Sequence, residues 1–255
     1  MRAEEKKQPT LIFSTQHGLK TIKSPVKINI LNQLGKGKLS FHEIVDQNEK
    51  SKSTISAHLK SLTEDGLIGF QPHPSDQRKK IFYLNAKYMG TLEQHNVWER
   101  EEEKVEFLLN EIINNGDPFE FFKLTLHLIR VTMIKEGINI DPILTQSGIR
   151  IGEVMYRQLG KPKVRELIPK LEEFWKSNGL GTLILENTDP ITIKVYDCFE
   201  CGLLPQISKS ACALDVGILE SVFSQVLKRE VYVEETKCYA KGDGCCLFVV
   251  HGAKL

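Results

Sequence analysis

No apolar run in these 255 residues is long enough to cross a bilayer, and residues 1–8 are polar, without the apolar core of a secretion signal. The expectation is a cytoplasmic chain with no membrane partner, whose six cysteines start reduced. The sequence also lacks a phosphate-cradling glycine loop and a strained serine turn of the hydrolase type. Single carboxylates without partners are poor evidence of acid–base work, so an enzyme is the least favoured class.

A net charge of one sign is lacking too. The total of +1 hides an asymmetry: residues 1–90 hold 15 Lys/Arg against 8 Asp/Glu, and residues 91–255 hold 19 against 25. A basic front and an acidic back suggest that the N-terminal part alone meets a polyanion. What is present is ordinary globular material, 41% hydrophobic and 26% charged, enough for two compact domains.

Ser24-Pro25 opens a first helix that Gly35 closes, with Ile28, Leu31 and Leu34 on one face. Ser40 and Glu43 form a capping box for a second helix to Asp46. A third covers residues 52–65, where Ile55, Leu59 and Leu62 recur at helical spacing and Gly66 is the stop. Residues 67–84 read as strand, polar tip, strand. Three short helices and a basic-flanked hairpin are the pattern of a winged helix-turn-helix. The run Ser53-Thr54-Ile55-Ser56-x-His58-Leu59-Lys60-x-Leu62-x-x-x-Gly66-Leu67-Ile68 resembles the recognition helix of arsenical-resistance-type (ArsR-like) repressors. The resemblance implies that this helix enters the major groove of double-stranded operator DNA. Lys52, Ser53, Thr54, Ser56 and His58 would then reach bases or phosphates, while Lys60, Arg78, Lys79 and Lys80 neutralise phosphates.

Residues 91–115 are Glu-rich, with Val105, Leu108, Leu109 and Ile112 at helical spacing, and predict a long connecting helix. Winged-helix regulators read paired half-sites, so a homodimer is expected. Asn115-Gly116-Asp117-Pro118 breaks this helix. Helices are then predicted over 119–135 (strongly apolar, hence buried), 141–159 and 163–177, strands over 182–186 and 191–196, a helix over 212–227 and a terminal hairpin. The class is α+β, divided as 10–90 (winged helix-turn-helix), 91–116 (linker and dimerisation helix) and 117–255 (sensor domain with an antiparallel sheet).

Four cysteines fall in the last stretch: Cys212, Cys238, Cys245 and Cys246. The hairpin brings Cys238 near Cys246 or Cys245, and adjacent strand residues face opposite sides. Glu235 and Cys238, three apart, converge only if the strand ends or bulges near Lys237. Small buried core residues are the alternative for Cys212 and Cys245. Cys212, a helix, then Glu235-x-x-Cys238, Gly242 and Cys246 resemble the C-terminal half of the 4-vinyl-reductase domain. In phenol-responsive regulators that carry this domain, a Cys, a Glu and two further Cys at this spacing bind zinc. The resemblance therefore nominates Cys212, Glu235, Cys238 and Cys246 as zinc ligands, a donor set that suits a closed tetrahedral site. Cys198 and Cys201 form a C-x-x-C outside this constellation, read as redox-active or auxiliary thiols, with inert surface cysteines as the rival. The whole arrangement is similar to redox-responsive transcription regulators of methanogenic archaea. It implies a DNA-binding regulator governed by thiol redox state or bound metal, or alternatively by a small apolar or aromatic effector.

Overall fold

The computed structural model describes residues 9–74, 76–92, 102–114, 117–204, 206–207 and 209–253, with residues 77, 78, 102–105, 108 and 112 described in backbone alone. The chain forms two compact units, the first made of residues up to 94 with 137–139, the second of 95–136 and 140–255. No helix among the described residues is long and apolar enough to cross a membrane.

The first unit begins with a hairpin that the sequence reading did not foresee, β1 (Thr10–Thr15) and β2 (Gly18–Ile22). The helices follow as expected: α1 (Pro25–Lys36), then after β3 (Leu39–Ser40) α2 (Phe41–Asp46), and α3 (Lys52–Glu64). The capping box forms, with the Glu43 amide donating to Ser40 Oγ and the Ser40 amide donating to Glu43 Oε2 at 2.7 Å. Ser51 Oγ caps α3 by accepting from the Thr54 amide. The wing is β4 (Ile68–His73) against β5 (Asp76–Leu84), with β3 on the far edge of β5. Next, β6 (Lys87–Leu92) pairs with β1, and β7 (Ile138–Asn139) adds to β6, giving the order β2-β1-β6-β7. Ile30, Leu31 and Leu34 of α1, Ile44 of α2, and Ile55, Leu59 and Leu62 of α3 close one core.

The helix expected from Thr91 does not start there. Thr91 and Leu92 pair with Asn139 and Ile138 in the sheet, and the helix α4 spans Glu102–Asn114. Of its expected stripe, the side chains of Val105, Leu108 and Ile112 lie outside the described residues, and Leu109 is exposed.

In the second unit α4 leads to α5 (Pro118–Lys135), capped by Asp117, whose Oδ1 accepts from the Phe119 amide at 2.7 Å. The expectation of a wholly buried α5 is corrected: Phe122 is 70% exposed and Phe119, Phe121 and Ile129 are also exposed, while Leu124, His127, Arg130 and Val131 are buried. Its inward face includes polar side chains because they bond to backbone beneath it. Then come α6 (Asp141–Gln158), α7 (Val164–Ser177), β8 (Thr182–Thr188), β9 (Ile191–Tyr196), α8 (Ala213–Leu227), β10 (Tyr232–Lys237) and β11 (Cys246–His251). The sheet is antiparallel in the order β10-β11-β9-β8. Trp175, Phe223 and Phe248 are fully buried in its core.

Helices α6 and α8 touch backbone to backbone. A Cβ on Gly148 would overlap the Leu214 carbonyl oxygen, one on Gly217 the Thr145 carbonyl oxygen, and one on Gly152 would stand 2.7 Å from the Ile218 carbonyl oxygen. These glycines seat the N-terminus of α8, where Cys212 is the N-cap residue.

Candidate metal and thiol centre

Four pieces of backbone converge below the sheet. β10 carries a bulge: Glu235 pairs with Phe248 while Lys237 pairs with the adjacent Leu247. The extra residue, Thr236, turns Glu235 and Cys238 toward one side, the condition on which their convergence depended. Beyond β10 the chain reverses through a 3-10 turn at Tyr239–Lys241 and Gly242 at φ 94°, with Asp243 Oδ2 accepting from the Cys238 amide at 2.9 Å. β11 then starts at Cys246, which pairs with Val195 of β9.

The remaining thiols come from the loop that leaves β9. Gly202 donates to the Cys198 carbonyl and Leu204 to the Cys201 carbonyl, folding the C-x-x-C into tight turns. Buried Arg130 holds this loop at both ends: Nη1 donates to the Glu200 carbonyl and Nη2 to the Ala211 carbonyl, each at 2.7 Å. The same Nη1 lies 3.5 Å from Glu200 Oε1. The Glu200 carboxylate accepts from the Leu214 and Asp215 amides at 3.0–3.1 Å, so Glu200 is the side-chain cap of α8. Glu200, Cys212 and Asp215 also place donor atoms within 4.8 Å of one another. The Glu200 oxygens are already satisfied there, which favours a cap over a ligand.

The thiols form one buried cluster and none is in a disulfide. Cys212 Sγ lies 3.5 Å from Cys198, 3.6 Å from Cys246 and 3.9 Å from Cys238, and Cys201 Sγ lies 3.2 Å from Cys246. Two overlapping quartets have all donor atoms within 4.8 Å: Cys212, Glu235, Cys238 and Cys246, and Cys198, Cys201, Cys212 and Cys246. The reading of the C-x-x-C as lying outside the constellation is therefore corrected. Cys198 and Cys201 are buried against it rather than at the surface. Cys245 belongs to neither quartet.

The electrostatics are those of a cation site. Glu235 Oε2 accepts from the Cys212 amide at 2.9 Å, but Oε1 is buried with no hydrogen-bond partner. Burial, then the neighbouring Cys238, pushes the Glu235 pKa up to about 9. Burial raises the Cys212 thiol, while hydrogen bonds from Cys201, Cys212 and Cys246 lower Cys238. Asp215, 3.7 Å from Cys198 Sγ, is raised by burial and then by Cys198. An unpartnered buried carboxylate oxygen is costly in isolation and is satisfied by a divalent ion. The four buried cysteines of the second quartet could likewise hold a metal ion.

The other nominated residues lie in the first unit. On α3, Lys52, Ser53, Ser56 and Lys60 are exposed and Thr54 and His58 half-buried. Ser56 and Lys60 share the lining of a groove of about 690 Å³ with Lys79 and Lys80 of β5. Lys80 Nζ sits 3.8 Å over the Phe70 ring, and Lys79 lies 3.9 Å from Asp76. The Arg78 side chain lies outside the described residues. The residues that sequence reasoning missed are Arg130, Glu200 and Asp215, which bear no motif.

Residues 24–69 match the bacterial regulatory protein arsR family, and residues 191–252 match the vinyl-4-reductase domain. An uncharacterized protein of Methanocaldococcus jannaschii is 32% identical over 137 residues, 54% of this chain and 70% of that protein. A second from the same organism is 33% identical over 127 residues, 48% and 73% respectively. A crystal structure of a vinyl-4-reductase family protein from Methanocaldococcus jannaschii aligns with 62% of this chain and 98% of its own, at 20% identity and TM-score 0.36. The chain belongs to the vinyl-4-reductase domain family and carries that domain behind an arsR-family regulatory segment.

Proposed function

We propose that this protein is a DNA-binding transcription regulator, not an enzyme, whose operator affinity is set by the state of its buried thiol centre. The arsR-family segment supports the DNA-binding end. Its third helix would lie in the major groove with Ser53, Thr54 and Ser56 toward base edges, and Lys60, Lys79 and Lys80 would neutralise phosphates. Exposed apolar side chains on α4 and α5, among them Phe107, Ile113 and Phe122, support a homodimer joined through these helices.

The observation that carries the sensory reading is the orphaned Glu235 Oε1 among buried sulfurs. Cys212, Glu235, Cys238 and Cys246 would hold one zinc ion, three thiolates and a carboxylate being a fitting tetrahedral donor set. Bound there, zinc would tie β10, β11 and the start of α8 together. The same thiols are the redox element. Cys201 and Cys246 stand 3.2 Å apart, and joining them gives two electrons and two protons to a peroxide, which leaves as two waters. That bond withdraws Cys246 from both quartets and repacks the hairpin.

The test is operator retardation by purified protein under reductant, after mild peroxide and after chelation, with metal content and free thiols counted in each state. A several-fold change in affinity between states is expected, and tenfold corresponds to about 1.4 kcal/mol. Cys238→Ser/Cys246→Ser should abolish it and Cys245→Ser should not. Equal operator affinity in all three states would refute the reading.

A further inference from the structure

Five clustered thiols are more than one tetrahedral ion requires. With an ion held by Cys212, Glu235, Cys238 and Cys246, the C-x-x-C thiols are left over, yet they press against that ligand set: Cys198 lies 3.5 Å from Cys212 and Cys201 lies 3.2 Å from Cys246. We propose that Cys198 and Cys201 complete a second, all-thiolate metal position, so that the centre takes two divalent ions bridged by Cys212 and Cys246. This rests on the reading that the first quartet holds one ion.

Three observations carry it. The two quartets share two members, Cys212 and Cys246, and a pair of tetrahedra joined along an edge shares two ligands. Those two sulfurs are 3.6 Å apart. A metal–sulfur bond of about 2.3 Å gives a tetrahedral edge of about 3.8 Å, so the shared edge already has the required length. The remaining sulfur–sulfur distances, 3.2, 3.5 and 3.9 Å, cluster about the same value.

Charge points the same way. Five thiolates and one carboxylate carry six negative charges, and burying that many around one dication is prohibitive in a low-dielectric interior. A second dication brings the total close enough to balance for Cys198 and Cys201 to ionise. Each thiol recruited gives up a proton to solvent as its metal–sulfur bond forms. Arg130 adds a positive charge at the loop, where it grips the Glu200 and Ala211 carbonyls that bracket the C-x-x-C and Cys212. Glycine at 202 serves the same end, since a Cβ there would stand 2.7 Å from the Cys198 carbonyl oxygen and open the turn. Such a centre selects ions that accept thiolate bridging, zinc and cadmium above magnesium or calcium.

The test uses the full-length protein, stripped with chelator under anaerobic reductant and titrated with cadmium alone. Native mass spectrometry counts ions per chain, and the ultraviolet thiolate-to-cadmium band follows the sulfurs engaged. Wild type should take two ions, the band rising through both equivalents, and Cys198→Ser/Cys201→Ser should take one. One ion in both proteins overturns the second position and leaves the single-ion reading standing. No ion in either overturns both. Two ions in the double variant would put the second elsewhere and also overturn the proposal. Should the variant not fold, X-ray absorption on wild type loaded with two equivalents of zinc decides alone: a zinc–zinc scattering vector is expected, and its absence rejects the bridge.

Discussion

Replacing Arg130 by Met should destabilise the second unit by about 4 kcal/mol, and the structure shows where that comes from. Arg130 and Glu200 are each only 4% exposed, so neither can turn to water when its partner is removed. Removing the guanidinium leaves the Glu200 and Ala211 carbonyls without their 2.7 Å donors, at about 1–3 kcal/mol for each unsatisfied buried group. It also strips the Glu200 carboxylate of the cation 3.5 Å away, and breaking a buried pair from one side costs about 3–5 kcal/mol. These contributions do not add in full. Burial already lifts the Glu200 pKa, against Arg130 and the Leu214 and Asp215 amides, so without Arg130 the carboxyl takes up a proton and escapes part of the penalty.

A loss of about 4 kcal/mol lowers Tm by about 8–16 °C in a domain of this size. The assay is urea unfolding and calorimetry of reduced, chelator-treated protein, so that metal linkage does not enter. The double variant Arg130→Met/Glu200→Gln sharpens the test, because no charge is then left stranded. Its cost should fall short of the sum of the two single variants by at least about 1 kcal/mol. Because the bracket holds the C-x-x-C loop shut, alkylation of Cys198 and Cys201 should also quicken in Arg130→Met. A cost below about 1 kcal/mol, or simple additivity in the cycle, would show that the buried pair does not hold this loop.

Gly217→Ala should be among the most damaging single substitutions, since its Cβ meets the Thr145 backbone carbonyl and α6 and α8 must separate; near-wild-type unfolding in urea would contradict the close approach. Replacing Lys79 and Lys80 by Ala should weaken binding to specific and nonspecific DNA alike and flatten the dependence of log affinity on log salt by about 0.9 for each phosphate no longer neutralised. An unchanged slope by fluorescence anisotropy would remove the wing from the interface.

The winged helix was legible because its signals are local. Ser40 and Glu43 are three residues apart and cap each other, and Ile55, Leu59 and Leu62 recur on one helical face and are all buried. Where the expectation slipped, two positions competed: Ile28 was placed on the core face of α1, whereas Ile30 is fully buried and Ile28 only partly so. The hairpin over residues 10–22 does carry a period-two signal, with Leu11 and Phe13 buried between polar neighbours, but six residues give it little weight. Helix α5 was foreseen as a helix and misjudged in its facing. Its apolar residues outnumber its polar ones, yet His127 and Arg130 are among those that point inward, because their partners are the Lys123 carbonyl and two loop carbonyls 70 and 81 residues away. No window on the helix itself contains that information.

The thiol centre divides along the same line. Glu235, Cys238 and Cys246 belong to one hairpin, so their spacing alone suggests a meeting, and a one-residue bulge at Thr236 completes it. The C-x-x-C is different. Judged by its own spacing it is a self-contained dithiol, but strand order decides where it goes. β11 lies between β10 and β9, so Cys246 pairs with Val195, only three residues before Cys198. A chain leaving β9 at that point passes directly over the ligand hairpin, and the Arg130 bracket turns it back to Cys212 instead of letting it run to the surface. Had β10 been the central strand, the same C-x-x-C would have emerged a strand's width, about 4.8 Å, from Cys246, beyond the reach of a shared ligand. The number of thiols at this centre is thus a consequence of sheet topology, which cysteine spacing does not encode.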